Sequence, residues 1–362
     1  MTHLMEILRL DAIFACIASF IACIALVVTK DWHGSFSMDS TVGVQKLHTL
    51  PTPRIGGVAI AIGVIVGYAV VSRDPTAADK RAILSSIILA GIPAFVFGLL
   101  EDLTKRVSVR ARLLATMASG ALGWAITGVS ITHVSIPGLD WILGFTTLSV
   151  LFTAFAVGGV ANSINIIDGF NGLAAGSVLV MLAAFGYISR AVGDIPLAFS
   201  CLVIAGAVLG FFLINWPSGK IFLGDGGAYF LGFALAWIAV LLPFRNPSVS
   251  HWVSLLVCSY PVMEVLFSYV RRARRINHHP SQPDRLHMHH LVHARVVQHL
   301  FSGTSKAQLN GLTSPFCWLF VLMPAISACL LYQNRSWAIA SSLIFCFAYV
   351  MIYRRLSRFK WL

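Results

Sequence analysis

Long apolar runs alternate with short polar connections along the chain. Eleven runs stand out, near 5–28, 55–72, 82–100, 110–130, 147–166, 173–190, 197–214, 227–244, 251–270, 313–331 and 337–353. Most approach the roughly 20 residues that a helix needs to cross a hydrocarbon core. The pattern predicts an all-α polytopic membrane protein with about 11 transmembrane helices. The first run reads as a retained helix, because its apolar stretch is long and Glu6 and Asp11 lie in its N-terminal part. With no linker, low-complexity tract or internal repeat, residues 1–362 read as one integral-membrane domain.

Charge gives the expected orientation. The connections 29–54, 101–112, 167–172, 215–226 and 271–312, with the tail from 354, hold nineteen of the 26 lysines and arginines. Excess positive charge marks the cytosolic side, so the N-terminus is expected in the periplasm and the C-terminus in the cytosol. Composition agrees with lipid as the solvent: mean hydropathy is +0.82 and charged residues are 11%, against about 25% in soluble domains. The net charge of +12 is not gathered on one soluble face, so anionic lipid and phosphorylated substrates explain it better than nucleic acid. The seven cysteines lie in apolar runs without a CxxC pair and read as core residues.

The unusual polar clusters all fall on the expected cytosolic side. They are the run from Lys46 and His48 through Pro51, Pro53, Arg54, Gly56 and Gly57; Glu101-Asp102; Asn162, Asn165, Asp168 and Asn171; Asn215 to Gly227; and Asp284-Arg285 with His287, His289 and His290. The outer loops carry nothing comparable, and 132–145, with Pro137-Gly138 and Trp141, reads as a small interfacial turn element. Polar groups at intervals of three keep near one helical face, and at the end of a membrane-length helix they are costly unless they bind something. Amide and carboxylate oxygens suit a hard cation such as Mg²⁺ and the phosphates it bridges. The glycines around Asp225 would open a helix and expose amides to an anion. Bland readings stand beside these: solvated loop acids for Glu101-Asp102, helix-packing amides for the asparagines, a cap for Gly224 to Gly227, a metal tract for the histidines. Arg271, Arg272, Arg274 and Arg275 read as a stop-transfer anchor, Glu264 as their partner within the ninth run, and Gly63 and Gly67 as a helix-packing pair.

Taken in order, these clusters resemble the polyprenyl-phosphate N-acetylhexosamine-1-phosphate transferases, the MraY/WecA family, over a core of about 45–295. The resemblance implies a polytopic helical enzyme that moves a sugar-1-phosphate from a UDP-sugar to undecaprenyl phosphate and releases UMP. It also implies Mg²⁺, or Mn²⁺, at a cytosolic site in the bacterial inner membrane. Asp225 matches the family's metal aspartate, and Asn165 the second asparagine of NxxN, which joins the metal in some members. Asp168 matches the aspartate of NxxNxxDG; Asn171 stands where the bacterial pattern has a second aspartate. Glu101 and Asp102 take the first and second places of the Asp-Asp pair, whose first member the resemblance implies as a base toward the lipid phosphate. Asn215, Phe222 and Phe170 resemble the uridine pocket. Lys46, His48 and Arg54 resemble the PTPRxGG loop near the phosphates, and His287, His289 and His290, with Arg285, the WecA-like HxHH signature.

UDP-N-acetylglucosamine is therefore the expected donor, ahead of N-acetylated fucosamine or quinovosamine donors and UDP-MurNAc-pentapeptide, with an O-antigen or other envelope polymer downstream. A homodimer is the only protein partner considered, and no nucleic acid is expected. Two other classes remain open from the sequence: an ion-coupled transporter, which would place polar groups near mid-membrane, and an inactive scaffold, given Glu101 and Asn171.

Overall fold

The computed structural model describes residues 2–39, 51–273 and 286–358. The expected elements Lys46, His48 and Arg285 lie outside the described residues. The chain is helical apart from one short ladder. In order come α1 (Thr2–Val28), α2 (Lys30–Ser37), β1 (Met38–Asp39), β2 (Thr52–Pro53), α3 (Gly56–Val71), α4 (Ala78–Thr104) and α5 (Val109–Thr127). Next are α6 (Pro137–Leu143), α7 (Thr146–Ile167), α8 (Leu173–Ala191), α9 (Ile195–Asn215) and α10 (Gly224–Arg245). The rest are α11 (His251–Val257), α12 (Ser259–Ala273), α13 (Met288–Val292), a π turn at His293–Val297, α14 (Gln298–Leu300), α15 (Lys306–Leu331) and α16 (Arg335–Ser357).

Every apolar run falls on a helix, so the all-α polytopic reading holds. Eight helices among the described residues are long and apolar enough to cross a membrane, or nine with a bent pair counted as one. Two predicted spans are not in that set. α3 has 16 residues, and α5 carries Arg110 and Arg112 in its first turn. The ninth run is not one straight helix: α11 and α12 meet at a 76° bend. Pro261 supplies the cause, since its ring opposes the carbonyl of residue i−4, Val257, where α11 stops.

α10 is the axis of the bundle. It packs against α3, α4, α7 and α8, and nearly every residue from Gly224 to Pro243 is buried. Its small and apolar residues face protein on all sides, as a helix apolar all round requires. α1 and α16 lie at the periphery with many large apolar side chains exposed, the expected face toward lipid. Close approach uses glycines: a Cβ on Gly63 would come within 2.6 Å of the Ala15 carbonyl oxygen, and one on Gly67 within 2.5 Å of Val203. That is the packing role expected for the pair. The predicted interfacial element is α6, with Trp141 exposed.

Candidate active site

The N-terminal end of α10 is where distant segments meet. Two backbone amides there, of Asp225 and Gly226, donate to the two oxygens of Asp102 at 2.9 Å each. Asp102, near the end of α4, thus caps α10 and satisfies donors that a helix start leaves open. Gly224 makes the turn: its φ is +76°, and a Cβ would lie 2.3 Å from the Arg54 carbonyl oxygen and 2.6 Å from Asp102 Oδ2. The segment before α3 is stitched to the same place. Phe222 N–H donates to the Pro53 carbonyl at 2.8 Å, and the Gly56 and Gly57 amides donate to the Phe222 and Leu223 carbonyls at 2.9 Å each. β1 pairs antiparallel with β2 beside it, which brings Asp39 in.

Asp225 stands in the first turn of α10 and is 1% exposed. Arg54 donates through Nη2 to its Oδ1, and Arg112 of α5 through Nη1 to its Oδ2. Asn165 Nδ2 donates to Oδ1 at 3.0 Å, and Tyr229 O–H donates to Asn165 Oδ1 at 3.4 Å. Arg54 also reaches Asp102 through Nε at 3.3 Å and Asp39 through Nη1 at 3.8 Å. Burial opposes the Arg54 charge, but Asp225, Asp102, Asp39 and Asp168 more than offset it, so the guanidinium is held more firmly protonated than usual. Asp168, just beyond α7, is pushed up to about 7 by burial, with Arg54 countering and the other carboxylates adding to the rise.

These groups border a cavity of about 320 Å³. Its walls include Asp39, Arg54, Asn165, Asp168, Phe170, Asn171, Asn215, Phe222, Asp225, His287, His289, His290 and Asn310. The structure therefore brings together all the predicted site residues that it describes, except the pair on α4. Asp102 is spent on capping, and Glu101 accepts from the Val107 amide at 2.8 Å in the following loop. Neither borders the cavity. Asn162 also stands apart, donating to the Gly158 carbonyl at 2.8 Å and to Thr116 at 3.3 Å, so the helix-packing reading holds for it.

The histidines are ordered from below. His287 Nδ1 pairs with Glu264 Oε1 at 2.8 Å, the Met288 amide donates to the same oxygen at 3.0 Å, and Tyr349 O–H donates to Oε2 at 2.7 Å. The expectation that Glu264 partners Arg271 or Arg272 is thus corrected: the bend at Pro261 sends this face of α12 toward α13 and α16. His287 and His289 stack with centroids 5.4 Å apart and planes 2° from parallel. Burial, then the neighbouring His290 and His287, depress His289 well below the ordinary histidine range, so that ring is neutral at pH 7. Phe170 packs against His289, His290 and His293 with centroids 5.0–5.8 Å away.

Sequence reasoning missed Asp39, Arg112, Tyr229 and Asn310. Arg112 had a signal, because it follows the Glu101-Asp102 loop on the same expected side. Asn310 had a weaker one: it lies near the start of a mostly apolar helix, two residues after Gln308 and past the last recognised motif.

The chain matches the model of glycosyl transferase family 4 over residues 84–243. It is 28% identical over 260 residues to a probable undecaprenyl-phosphate N-acetylglucosaminyl 1-phosphate transferase of Bacillus subtilis, covering 71% of this chain and 70% of that protein. It is 30% identical over 298 residues to the decaprenyl-phosphate N-acetylglucosaminephosphotransferase of Mycobacterium leprae, covering 70% and 71%. A phospho-N-acetylmuramoyl-pentapeptide-transferase of Clostridium perfringens is 32% identical over 196 residues, covering 53% and 61%.

Proposed function

The chain belongs to glycosyl transferase family 4, and from that premise we propose that it transfers N-acetylglucosamine-1-phosphate from a UDP-sugar to undecaprenyl phosphate, releasing UMP. One observation carries the reading. Asp225, Arg54, Arg112 and Asn165 come from four separate segments and meet by direct contact at one cavity edge. The named relatives that act on polyprenyl phosphate and N-acetylglucosamine support the donor choice.

The lipid phosphate attacks the donor's β-phosphorus. A new P–O bond forms there, and the bond to the α-phosphate oxygen breaks, so UMP leaves with that oxygen. Two anions must approach, and the work of the protein is positioning and charge compensation. Arg54 and Arg112 hold guanidiniums where the phosphates meet. A phosphate monoester has its second pKa near 6, so the acceptor is already largely ionised at neutral pH. With Asp102 committed to the α10 amides, direct attack without a protein base fits best.

The donor set suits Mg²⁺. Asp225 and Asn165 would hold it, with the carboxylates of Asp39 and Asp168 bordering the same cavity. Among the described residues no three acidic or histidine side chains gather into a ready-made metal cluster. Held there, the ion would supply charge neutralisation of the diphosphate. His287, steadied by Glu264, would offset charge developing on UMP. Eleven spans, a periplasmic N-terminus and a cytosolic site in the inner membrane complete the proposal; the charge asymmetry of the connections supports them.

The test is purified protein with undecaprenyl phosphate, Mg²⁺ and a panel of UDP-sugars, scored by UMP formation. UDP-N-acetylglucosamine should give the highest kcat/KM. Absence of UMP with every sugar would remove the proposal, and a preference for UDP-MurNAc-pentapeptide would remove the donor assignment.

A further inference from the structure

α16 faces lipid with apolar side chains such as Leu343, Ile344 and Phe347, all exposed. Its buried residues are Ala338, Ser342, Tyr349, Tyr353 and Leu356. Their spacing of three, four and seven puts them on one face of the helix. Tyr349 is 1% exposed and Tyr353 5%. A phenylalanine, which α16 carries at 345 and 347, would fill the same space with no polar atom to bury. A buried tyrosine hydroxyl is costly unless it finds a partner. Both hydroxyls find one: Tyr349 O–H donates to Glu264 Oε2 at 2.7 Å, and Tyr353 O–H to the Leu286 carbonyl at 2.9 Å. Phe267 of α12 packs on both rings, with centroids 5.8 and 4.5 Å away.

Both contacts bear on His287, which borders the polar cavity. Leu286 is the residue before it. Glu264 Oε1 meets His287 Nδ1 at 2.8 Å and accepts from the amide of the residue after it, Met288, at 3.0 Å. A carboxylate accepts and does not donate, so the ring nitrogen facing it carries the hydrogen, and that contact sets the tautomer. The orientation of the ring then depends on how the carboxylate is turned. Tyr349 supplies the hydrogen bond to the other oxygen, Oε2. With Oε2 pinned, the carboxylate is kept from turning about its last bond, and Oε1 stays aimed at His287.

We propose that Tyr349 is a positioning residue for the transfer reaction: its hydroxyl fixes the Glu264 carboxylate, which in turn holds His287 in one tautomer and one orientation at the cavity. The inference rests on the transferase reading above. It extends the working parts of the site to α16, which starts beyond the part of the chain that matches the family model, ending at 243.

The test compares full-length wild type, Y349F, E264A and the double variant E264A/Y349F, using UMP release from UDP-N-acetylglucosamine and undecaprenyl phosphate. Y349F deletes one oxygen and keeps the ring against Phe267. We expect its kcat to fall about fivefold or more with KM for both substrates within about twofold, because a misaimed His287 weakens the transition state and leaves substrate binding alone. In the E264A background the hydroxyl has nothing to act through, so adding Y349F should change kcat by less than about twofold. Wild-type kcat in Y349F, even with a lower Tm, overturns the proposal, because the hydroxyl would then only satisfy a buried acid. It is equally overturned if Y349F raises KM with kcat unchanged, or if the loss in the double variant is the product of the two single losses. If wild type releases no UMP, the transferase reading itself fails, which is a distinct result.

Discussion

The two ends of α10 carry opposite charges and do different work. At the C-terminal end, Arg245 meets Asp194 through Nε at 2.7 Å and Nη2 at 2.9 Å. Asn246 Nδ2 and the Leu197 amide complete that carboxylate at 3.0 and 3.2 Å. At the N-terminal end, Asp225 is shared between two guanidiniums and an amide, with Asp39, Asp102 and Asp168 acting on the same Arg54. Both placements suit the helix dipole, an acid in the first turn and a base in the last. A cavity lies near each end, and the volumes are alike, about 310 and 320 Å³. The one near Arg245 is lined by apolar groups such as Val157, Val240 and Pro243, and neither Asp194 nor Arg245 borders it. A charge matched one-to-one and closed on itself is a latch. Charges in excess, arranged around a polar cavity, are a site that expects a charged ligand.

The largest break in this comparison should come from Asp225→Ala. Loss of that carboxylate should lower kcat/KM by about a thousandfold or more, read by UMP release, while the protein still inserts and purifies as a folded membrane protein. Next is Asp194→Ala at the other end. It leaves Arg245 and Asn246 without their acceptor and should cost about 1–3 kcal/mol of stability, read as a lower Tm in detergent, with kcat/KM within about twofold of wild type. Equal losses of activity at the two ends would erase the distinction.

Glu264→Gln sharpens it within the site. Glutamine keeps an oxygen for His287 Nδ1 and the Met288 amide but loses the charge, so kcat should fall about tenfold with KM little changed. Glu264→Ala should lose more, because the ring orientation goes too. Wild-type kcat in both variants would make the contact a packing feature only.

The smallest effect is a contrast in pH dependence. Burial would raise Asp194, but hydrogen bonds from Arg245 and Asn246 more than reverse this and hold it below the ordinary value of 3.8. Its contribution to stability is present above that value and is lost as pH falls through the lower, folded one. Asp168 is raised to about 7, so its contribution is present below 3.8 and is lost as pH rises through about 7. Melting curves should show Asp168→Asn gaining on wild type as pH rises from 3.8 through about 7. The deficit of Asp194→Asn should shrink only in strong acid. Parallel pH curves for the two variants would contradict the assignment.

Much of the site could be read along the chain because its chemistry is locally dense. Asn165, Asp168 and Asn171 recur at one spacing, and Asp225 sits among glycines, so each marks itself without knowledge of its neighbours. Arg112 shares its turn with Arg110, and Asn310 its turn with Gln308, so only packing shows which of each pair faces the site. The division of labour on α4 was equally hidden. Glu101 and Asp102 are adjacent acids, yet a helix turns successive residues about 100° apart. One therefore reaches the α10 amides and the other the Val107 amide.

Apolar runs and their polar interruptions by themselves determined that this chain is a helical membrane protein, where its helices lie, and which clusters carry chemistry. Those properties depend on composition within a few turns and on what lipid permits. Tertiary structure decided which polar groups are spent on each other and which remain for a ligand. Hydrogen-bond capacity is used up pair by pair, and the partners are far apart in the chain: Asp102 with the Asp225 amide, Glu264 with Tyr349, Asn171 with Asn310.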